Sequence, residues 1–300
     1  MKIGLGAVQF GLDYGIANTA GKVSEEDVAA ILAAAAQLQL TLIDTAALYG
    51  DSEAVLGRAM SPAAPFDIVT KTPQFTGSMV SEVEAQQLED SLHASLRKLQ
   101  RPSVYGLLIH RVDDLLLPGG EALMARMTLL KQRGLVGKIG VSVYTGQQID
   151  AVLARFPIDL IQLPVNVLDQ RLLHSGHLRK LKQAGVEIHA RSAFLQGLLL
   201  MAPHELPAHF DGVREHLAAY HRFIAGQGLT PLQAALGFVT GLDEIDQVVC
   251  GVNSSVQLQE ICAAAGHTAA GAARENYKAF AISDEAIVNP ALWQHAKGKT

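Results

Sequence analysis

Short apolar runs recur along this chain with longer segments of helical period between them, and this alternation restricts the fold more than any other feature. The runs cover residues 3–8, 41–44, 67–71, 104–110, 138–142, 159–163, 186–190 and 247–250, eight in all. Their cores are β-branched or leucine-rich without clear polar alternation, the pattern of parallel strands covered on both faces. Between them, Ser24 with Asp27 three positions on has the form of a capping box. Val28, Ile31, Leu32, Ala35 and Leu38 then fall on one helical face. Residues 80–99 carry Leu88, Leu92, Leu96 and Leu99 at similar spacing, and Leu123, Met127 and Leu130 mark a further helix that Gly134 would end. Leu178 and Leu181 repeat the arrangement before Gly185. Eight strand–helix units without a Pro-, Gly- or Ser-rich linker predict an α/β chain. The expected architecture is a single (β/α)8 TIM barrel, with residues 1–300 as one domain. A doubly wound open sheet is the alternative. Gly4-Leu5-Gly6 followed by Gly11 makes no G-x-G-x-x-G fingerprint, and no helix follows promptly.

The 300 residues are 49% hydrophobic, enough for a large core. A net charge of -5 without a lysine or arginine run gives no electrostatic footprint for nucleic acid. The longest helix-like apolar stretch, around residues 31–38, is too short to span a bilayer. The start lacks the long apolar stretch of a signal peptide, and two cysteines, Cys250 and Cys262, allow no extensive disulfide framework. A soluble cytoplasmic protein without membrane or nucleic-acid partners is expected.

Barrel active sites lie at the C-terminal ends of the strands. Asp44 closes the second run, Lys71 the third and His110 the fourth, and Tyr49 follows Asp44 in the loop beyond. Individually these have plain structural readings: Tyr49 as packing, Lys71 as a solvated charge, Asp44 as a turn cap, and His110 with Arg111 as a structural pair. Delivered together by successive strand ends, they form a set for protonating a carbonyl. Hydride addition leaves charge on the carbonyl oxygen, and a positioned acid lowers that barrier. Tyr49 is the candidate acid, Lys71 a cation expected to lower its pKa, and Asp44 the anion holding Lys71. His110 is a hydrogen-bond donor to the same oxygen.

In these residues and their flanks the sequence resembles the aldo-keto reductase superfamily. The likeness runs from Gly4-Leu5-Gly6-Ala7-Val8-Gln9-Phe10-Gly11 through Ile43-Asp44-Thr45-Ala46 to Tyr49-Gly50 and Thr70-Lys71-Thr72. It continues with Leu108-Ile109-His110, Ile139-Gly140-Val141-Ser142, Gln162-Leu163-Pro164-Val165-Asn166 and Gly251-Val252-Asn253-Ser254-Ser255. The resemblance implies a nicotinamide cofactor bound on the barrel, with Asp44, Tyr49, Lys71 and His110 at the catalytic positions. Ser142 and Gln162 match positions that hold the nicotinamide carboxamide, and Gly6 and Ala7 match the segment beside the ribose. Ser192, Phe194 and Gln196 fall where a loop wraps the pyrophosphate. Gly251, Asn253, Gln257 and Glu260 fall at the adenosine end. Four departures stand out: Val143 where the family usually has Asn, Arg191 at the usual aromatic stacking position, Asn253 where Lys or Arg often stands, and Ile261 in place of another Asn. Without a cation at Asn253, NADP(H) is favoured only slightly over NAD(H).

The resulting expectation is an oxidoreductase that reduces an aldehyde or ketone, sugar-like ones included, with Tyr49 as proton donor. The alternative is a nicotinamide-binding redox-sensing or scaffold subunit with little turnover. A metal-dependent barrel isomerase or lyase would need more carboxylates and histidines at strand ends. The pairs His174/His177 and His216/His221 lack carboxylate partners at ligand spacing. Phe10, Tyr14, Tyr144 and Arg191 are candidate pocket residues, with Arg191 pointing toward an anionic or polyhydroxylated substrate. His189 is read as a structural histidine. Residues 203–211 are read as a surface loop with a lid as the other option, and Trp293 either as packing on the barrel bottom or as approaching the active site.

Overall fold

The structure, a computed structural model, describes residues 1–300 apart from 17, 19, 20, 62, 63, 267–274 and 294–300. Eight parallel strands close into a barrel in sequence order: β1 (Ile3–Gly6), β2 (Leu42–Asp44), β3 (Asp67–Lys71), β4 (Val104–Ile109), β5 (Val136–Ser142), β6 (Leu160–Pro164), β7 (Glu187–Arg191) and β8 (Gln247–Gly251). Pairing of Ile3 through Gly6 with Val248 through Gly251 closes the ring. The helices include α1 (Val8–Gly11), α2 (Glu25–Gln37), α3 (Ser52–Ala59), α4 (Glu82–Leu99), α5 (Val112–Leu116), α6 (Glu121–Gln132), α7 (Gly146–Leu153), α8 (Arg171–His174), α9 (His177–Gln183), α10 (Arg214–Ala225), α11 (Pro231–Thr240) and α12 (Ser255–Ala265). No helix among the described residues is long and apolar enough to cross a membrane.

Local chemistry sets the helix ends. The Ser24 side chain accepts from Asp27 N–H and caps α2, while Ser81 and Glu84 form a reciprocal capping box on α4. Gly134 and Gly185 adopt the left-handed conformation that ends α6 and α9, as their spacing predicts. Residues 8–11 depart from expectation. The first strand stops at Gly6, and Val8–Gly11 forms a helical turn, α1. Phe10 is fully buried in the core there and does not line a pocket.

Two-residue periodicity divides the barrel interior into layers. Leu42, Val69, Leu108 and Leu160 form an apolar middle layer, with Tyr105 and Val249 against it. At the base, Glu187 gathers the Tyr105 hydroxyl at 2.8 Å, His189 Nε2 at 2.7 Å and the Lys138 ammonium. Burial works to raise the Glu187 carboxyl, but these partners outweigh it and hold its pKa at about 2. His189 is therefore a buried member of the base, two residues short of the strand end. Segment 203–211 contains the short 3-10 helix Pro203–Glu205 and the start of a second, Ala208–Val213, and Phe210 anchors it by packing edge-on against Trp293 at 4.9 Å between centroids. The remaining tail, 294–300, lies outside the described residues.

The turn that carries Tyr49 packs on α1 through a glycine. A Cβ on Gly11 would meet the Tyr49 carbonyl oxygen at 1.8 Å and Ser52 N at 2.5 Å. Gly11→Ala is expected to cost about 1–3 kcal/mol, the usual penalty of overpacking. Denaturant unfolding should show this as a lower midpoint with an unchanged slope.

Candidate active site

Asp44 and Lys71 end adjacent strands, and both point into the barrel. They stand there 4% and 2% exposed. Lys71 Nζ donates to Asp44 Oδ1 at 2.6 Å and to the Thr45 carbonyl at 2.9 Å. Gln162 Nε2, from β6, donates to the other Asp44 oxygen at 2.7 Å. The carboxylate is thus saturated from both sides, as a buried charge requires. Burial alone lowers the Lys71 pKa, but Asp44 and Tyr49 outweigh it and hold the ammonium above its ordinary range.

Tyr49 lies over this pair, with Lys71 Nζ 5.0 Å from its ring centroid. The turn beneath it is locked: Tyr49 N–H donates to Ala46 O, Ser52 N–H to Tyr49 O, and Ser52 Oγ to Ala7 O at 2.7 Å. Glu53, buried, accepts from Thr70 Oγ1 at 2.7 Å. His110 meets Tyr49 edge-on at 5.7 Å between centroids. One expectation needs correction. Burial raises the Tyr49 phenol above its ordinary value, and the field of Lys71 only partly offsets this. His110 is pushed down to about 4, first by burial and then by Lys71, so the imidazole is neutral near pH 7. Its buried Nδ1 has no partner among the described residues.

These four residues line one cavity of about 940 Å3 at the strand C-termini. Ser142, Gln162 and Arg191 line it near these four, as do Gly6 and Ala7. Ser192, Phe194 and Gln196 lie along its side, and Gly251, Asn253, Gln257 and Glu260 at its β8 end. Every catalytic and cofactor position expected from the sequence is on this surface, as are the candidate pocket residues Tyr14 and Tyr144 but not Phe10. The side wall is strained: Ser192, Leu195 and Gln196 all adopt left-handed backbone angles. Tyr14 and Asn18, from the loop after α1, bridge to Gln196 and Asn253, each over 3.2 Å. Arg191 stacks on the Tyr144 ring at 4.1 Å and donates to the Val143 carbonyl at 3.1 Å.

Gln9, Asp113, Gln148, Glu285, Asn289, Pro290 and Ala291 also line the cavity, beyond the residues expected from the sequence. Gln9 was within a quoted motif. The last four have no periodicity that would have drawn attention to them. The paired histidines are otherwise engaged: His177 contacts Ser175 at 2.7 Å and Asp150 at 3.3 Å, and His216 lies 3.1 Å from the Phe280 carbonyl. Among the described residues no group of three or more potential ligands is placed to hold a metal.

A closed parallel barrel with a buried lysine–aspartate pair, a phenol and an imidazole at its C-terminal mouth defines a narrow class of protein. Residues 2–270 match the aldo/keto reductase family, and the chain belongs to it. It is 29% identical over 194 residues to an aldo-keto reductase of Mycolicibacterium vanbaalenii, a match covering 61% of this chain and 64% of that one. It is 28% identical over 162 residues to the aldo-keto reductase YhdN of Bacillus subtilis, covering 52% of this chain and 48% of that one. The matches thus span between about half and two thirds of these curated relatives. The aldo-keto reductase AKR11C1 of Bacillus halodurans, in its holo form, shares the fold. Its TM-score is 0.75 at 20% identity, over 94% of this chain and 93% of that one.

Asp44→Ala is expected to leave the Lys71 ammonium buried without its counter-ion, at a cost of about 3–5 kcal/mol near pH 7. Without Asp44, burial should depress the Lys71 pKa below its unfolded value, so the unfolded state binds the extra proton. The deficit should therefore shrink as pH rises toward about 10, a trend that denaturant unfolding across pH would detect.

Proposed function

We propose that this protein is an NAD(P)H-dependent oxidoreductase that reduces an aldehyde or ketone, with Tyr49 as the proton donor. The observation that carries this reading is the buried Lys71 ammonium, fixed by Asp44 beneath the Tyr49 ring. When bound, the nicotinamide cofactor supplies the hydride to the carbonyl carbon. Tyr49 Oη gives its proton to the carbonyl oxygen as that oxygen takes up the electron pair of the C=O bond. Lys71 then stabilises the phenolate, and Asp44 with Gln162 keeps Lys71 in place. Neutral His110 donates a hydrogen bond to the same oxygen and orients the substrate.

The cavity has features that fit the cofactor. Its volume of about 940 Å3 lies in the range of small-molecule sites. Gln9 Oε1 and Asn253 Oδ1 are buried acceptors without partners among the described residues, and both residues line it. A Cβ at Gly251 would meet the Gln9 amide at 2.6 Å, so a larger residue there would displace Gln9. We assign Ser142, Gln162 and Arg191 to the nicotinamide end, with Gly6 and Ala7 beside the ribose. Ser192, Phe194 and Gln196 go to the pyrophosphate, and Gly251, Asn253, Gln257 and Glu260 to the adenosine. NADP(H) is placed slightly ahead of NAD(H).

Two outcomes follow. Tyr49→Phe should lower kcat by at least about 100-fold while leaving cofactor affinity within a small factor, since general-acid catalysis contributes about 100- to 10,000-fold. Retained turnover would remove Tyr49 from its role, and turnover absent already in the wild type would favour a binding subunit. Fluorescence titration should find NADPH no more than about tenfold tighter than NADH, because Asn253 forfeits a charge-assisted contact of about 1.5–3 kcal/mol. A hundredfold preference would contradict this reading of the adenosine end.

A further inference from the structure

The charges around the cavity do not balance at its catalytic end. Of the three cationic side chains lining it, Lys71 is paired with Asp44 and Arg111 with Asp114. Arg191 has no carboxylate partner among the described residues. Its contacts are the Val143 carbonyl, the Ser192 hydroxyl at the 3.5 Å limit, and the face of Tyr144. The acidic lining residues near that end are committed elsewhere: Asp44 to Lys71 and Gln162, and Asp113 to Gln148 at 3.0 Å. Glu285 is held by Arg171 at 2.9 Å. Tyr49 and His110 add no charge near neutral pH, so Arg191 is the uncompensated one.

That charge is also pre-organised. The Arg191 backbone is held in β7 opposite Pro164, its guanidinium plane lies on Tyr144, and most of its N–H donors remain unused. A half-buried cation fixed in this way, facing a cavity and lacking a counter-ion, is poised for an anion delivered by a ligand.

We propose that Arg191 binds an oxyanion, carboxylate or phosphate, carried by the carbonyl substrate, so that the substrate class is an anionic aldehyde or ketone. The inference rests on the reductase reading above and deepens it by naming what the site selects. Arg191 would then set specificity while Tyr49 performs the proton transfer.

The test compares two matched pairs with NADPH. 4-Carboxybenzaldehyde against methyl 4-formylbenzoate probes a carboxylate, and glyceraldehyde 3-phosphate against glyceraldehyde probes a phosphate. In at least one pair the anionic member should have a kcat/KM roughly 10- to 100-fold higher, the range for a charge-assisted hydrogen bond. Arg191→Met should bring that ratio close to one, and Arg191→Lys should restore part of it. Ratios near one in the wild type, or ratios unchanged in Arg191→Met, would overturn the proposal. Calorimetric titration with 4-(hydroxymethyl)benzoate and its methyl ester, in the presence of NADPH, reads the same preference without turnover, because alcohol and reduced cofactor cannot react with each other. If no aldehyde is reduced, the reductase reading fails by itself. Anion-selective binding that disappears in Arg191→Met would still sustain the Arg191 site, and equal binding of both compounds would end it.

Discussion

The site depends on one buried ion pair. Lys71 and Asp44 meet at 2.6 Å inside the barrel, where either charge alone would be expensive to hold. Their meeting requires the register between β2 and β3 to be correct. Asp44 pairs with Val69, and Lys71 lies two residues further along the same inward-facing row. A slip of one residue would turn that row toward the helices and separate the charges. The apolar layer of Leu42, Val69, Leu108 and Leu160 directly below prevents such a slip, because it too would be exposed to the wrong face. Core packing and the site's electrostatics therefore specify the same register.

Above this floor the cavity is built differently. Asp44, Lys71, His110 and Tyr49 sit on strand ends and a turn locked by Ser52 and Glu53, whereas the long wall is a loop with three non-glycine residues in left-handed conformations. Such backbone persists only where surrounding contacts over-determine it. Here Asn166 Nδ2 holds the Ser192 carbonyl at 3.1 Å, Tyr14 holds Gln196, and Leu195 and Leu198 are buried. The division is physically sensible. Proton transfer tolerates little displacement of its groups, while an extended ligand needs a wall that follows its shape.

Much of this was legible in the sequence, for reasons that differ by element. The strands were readable because buried parallel strands are apolar throughout. Residues 67–71 were placed without error, and the other strands shifted by only one or two residues at their ends. Asp44, Lys71, His110 and Tyr49 stand out only as a set: each has a plain structural reading alone, but successive strand ends and the loop after Asp44 deliver all four to one cavity. The first strand is expected to run on through Ala7 and Val8 because two apolar residues carry no period, and the turn that Gly11 packs against lies about forty residues away. Burial of Phe10, the Glu187 network with Tyr105, Lys138 and His189, and the stacking of Arg191 on Tyr144 all join distant positions. No local pattern encodes such contacts. The direction of the Tyr49 shift was missed for a related reason: it is set by how completely neighbouring elements cover the ring.

That last point changes how the proposed proton transfer works. A donor must carry its proton when the substrate arrives, and burial secures this by keeping the phenol neutral. A free phenol is also neutral near pH 7, so burial reinforces a state that the ordinary pKa of about 10 already favours. The cation matters later, once the proton has left and charge develops on the tyrosine oxygen in a low-dielectric pocket. Lys71 is held charged at both stages by Asp44, so its stabilising field is in place before it is needed and costs no reorganisation. His110, kept neutral by burial and by the same lysine, can donate a hydrogen bond without adding a further positive charge that would compete with Arg191 for an anionic substrate. Burial and charge thus act in sequence on one oxygen. The arrangement needs both a covered ring and a cation beneath it.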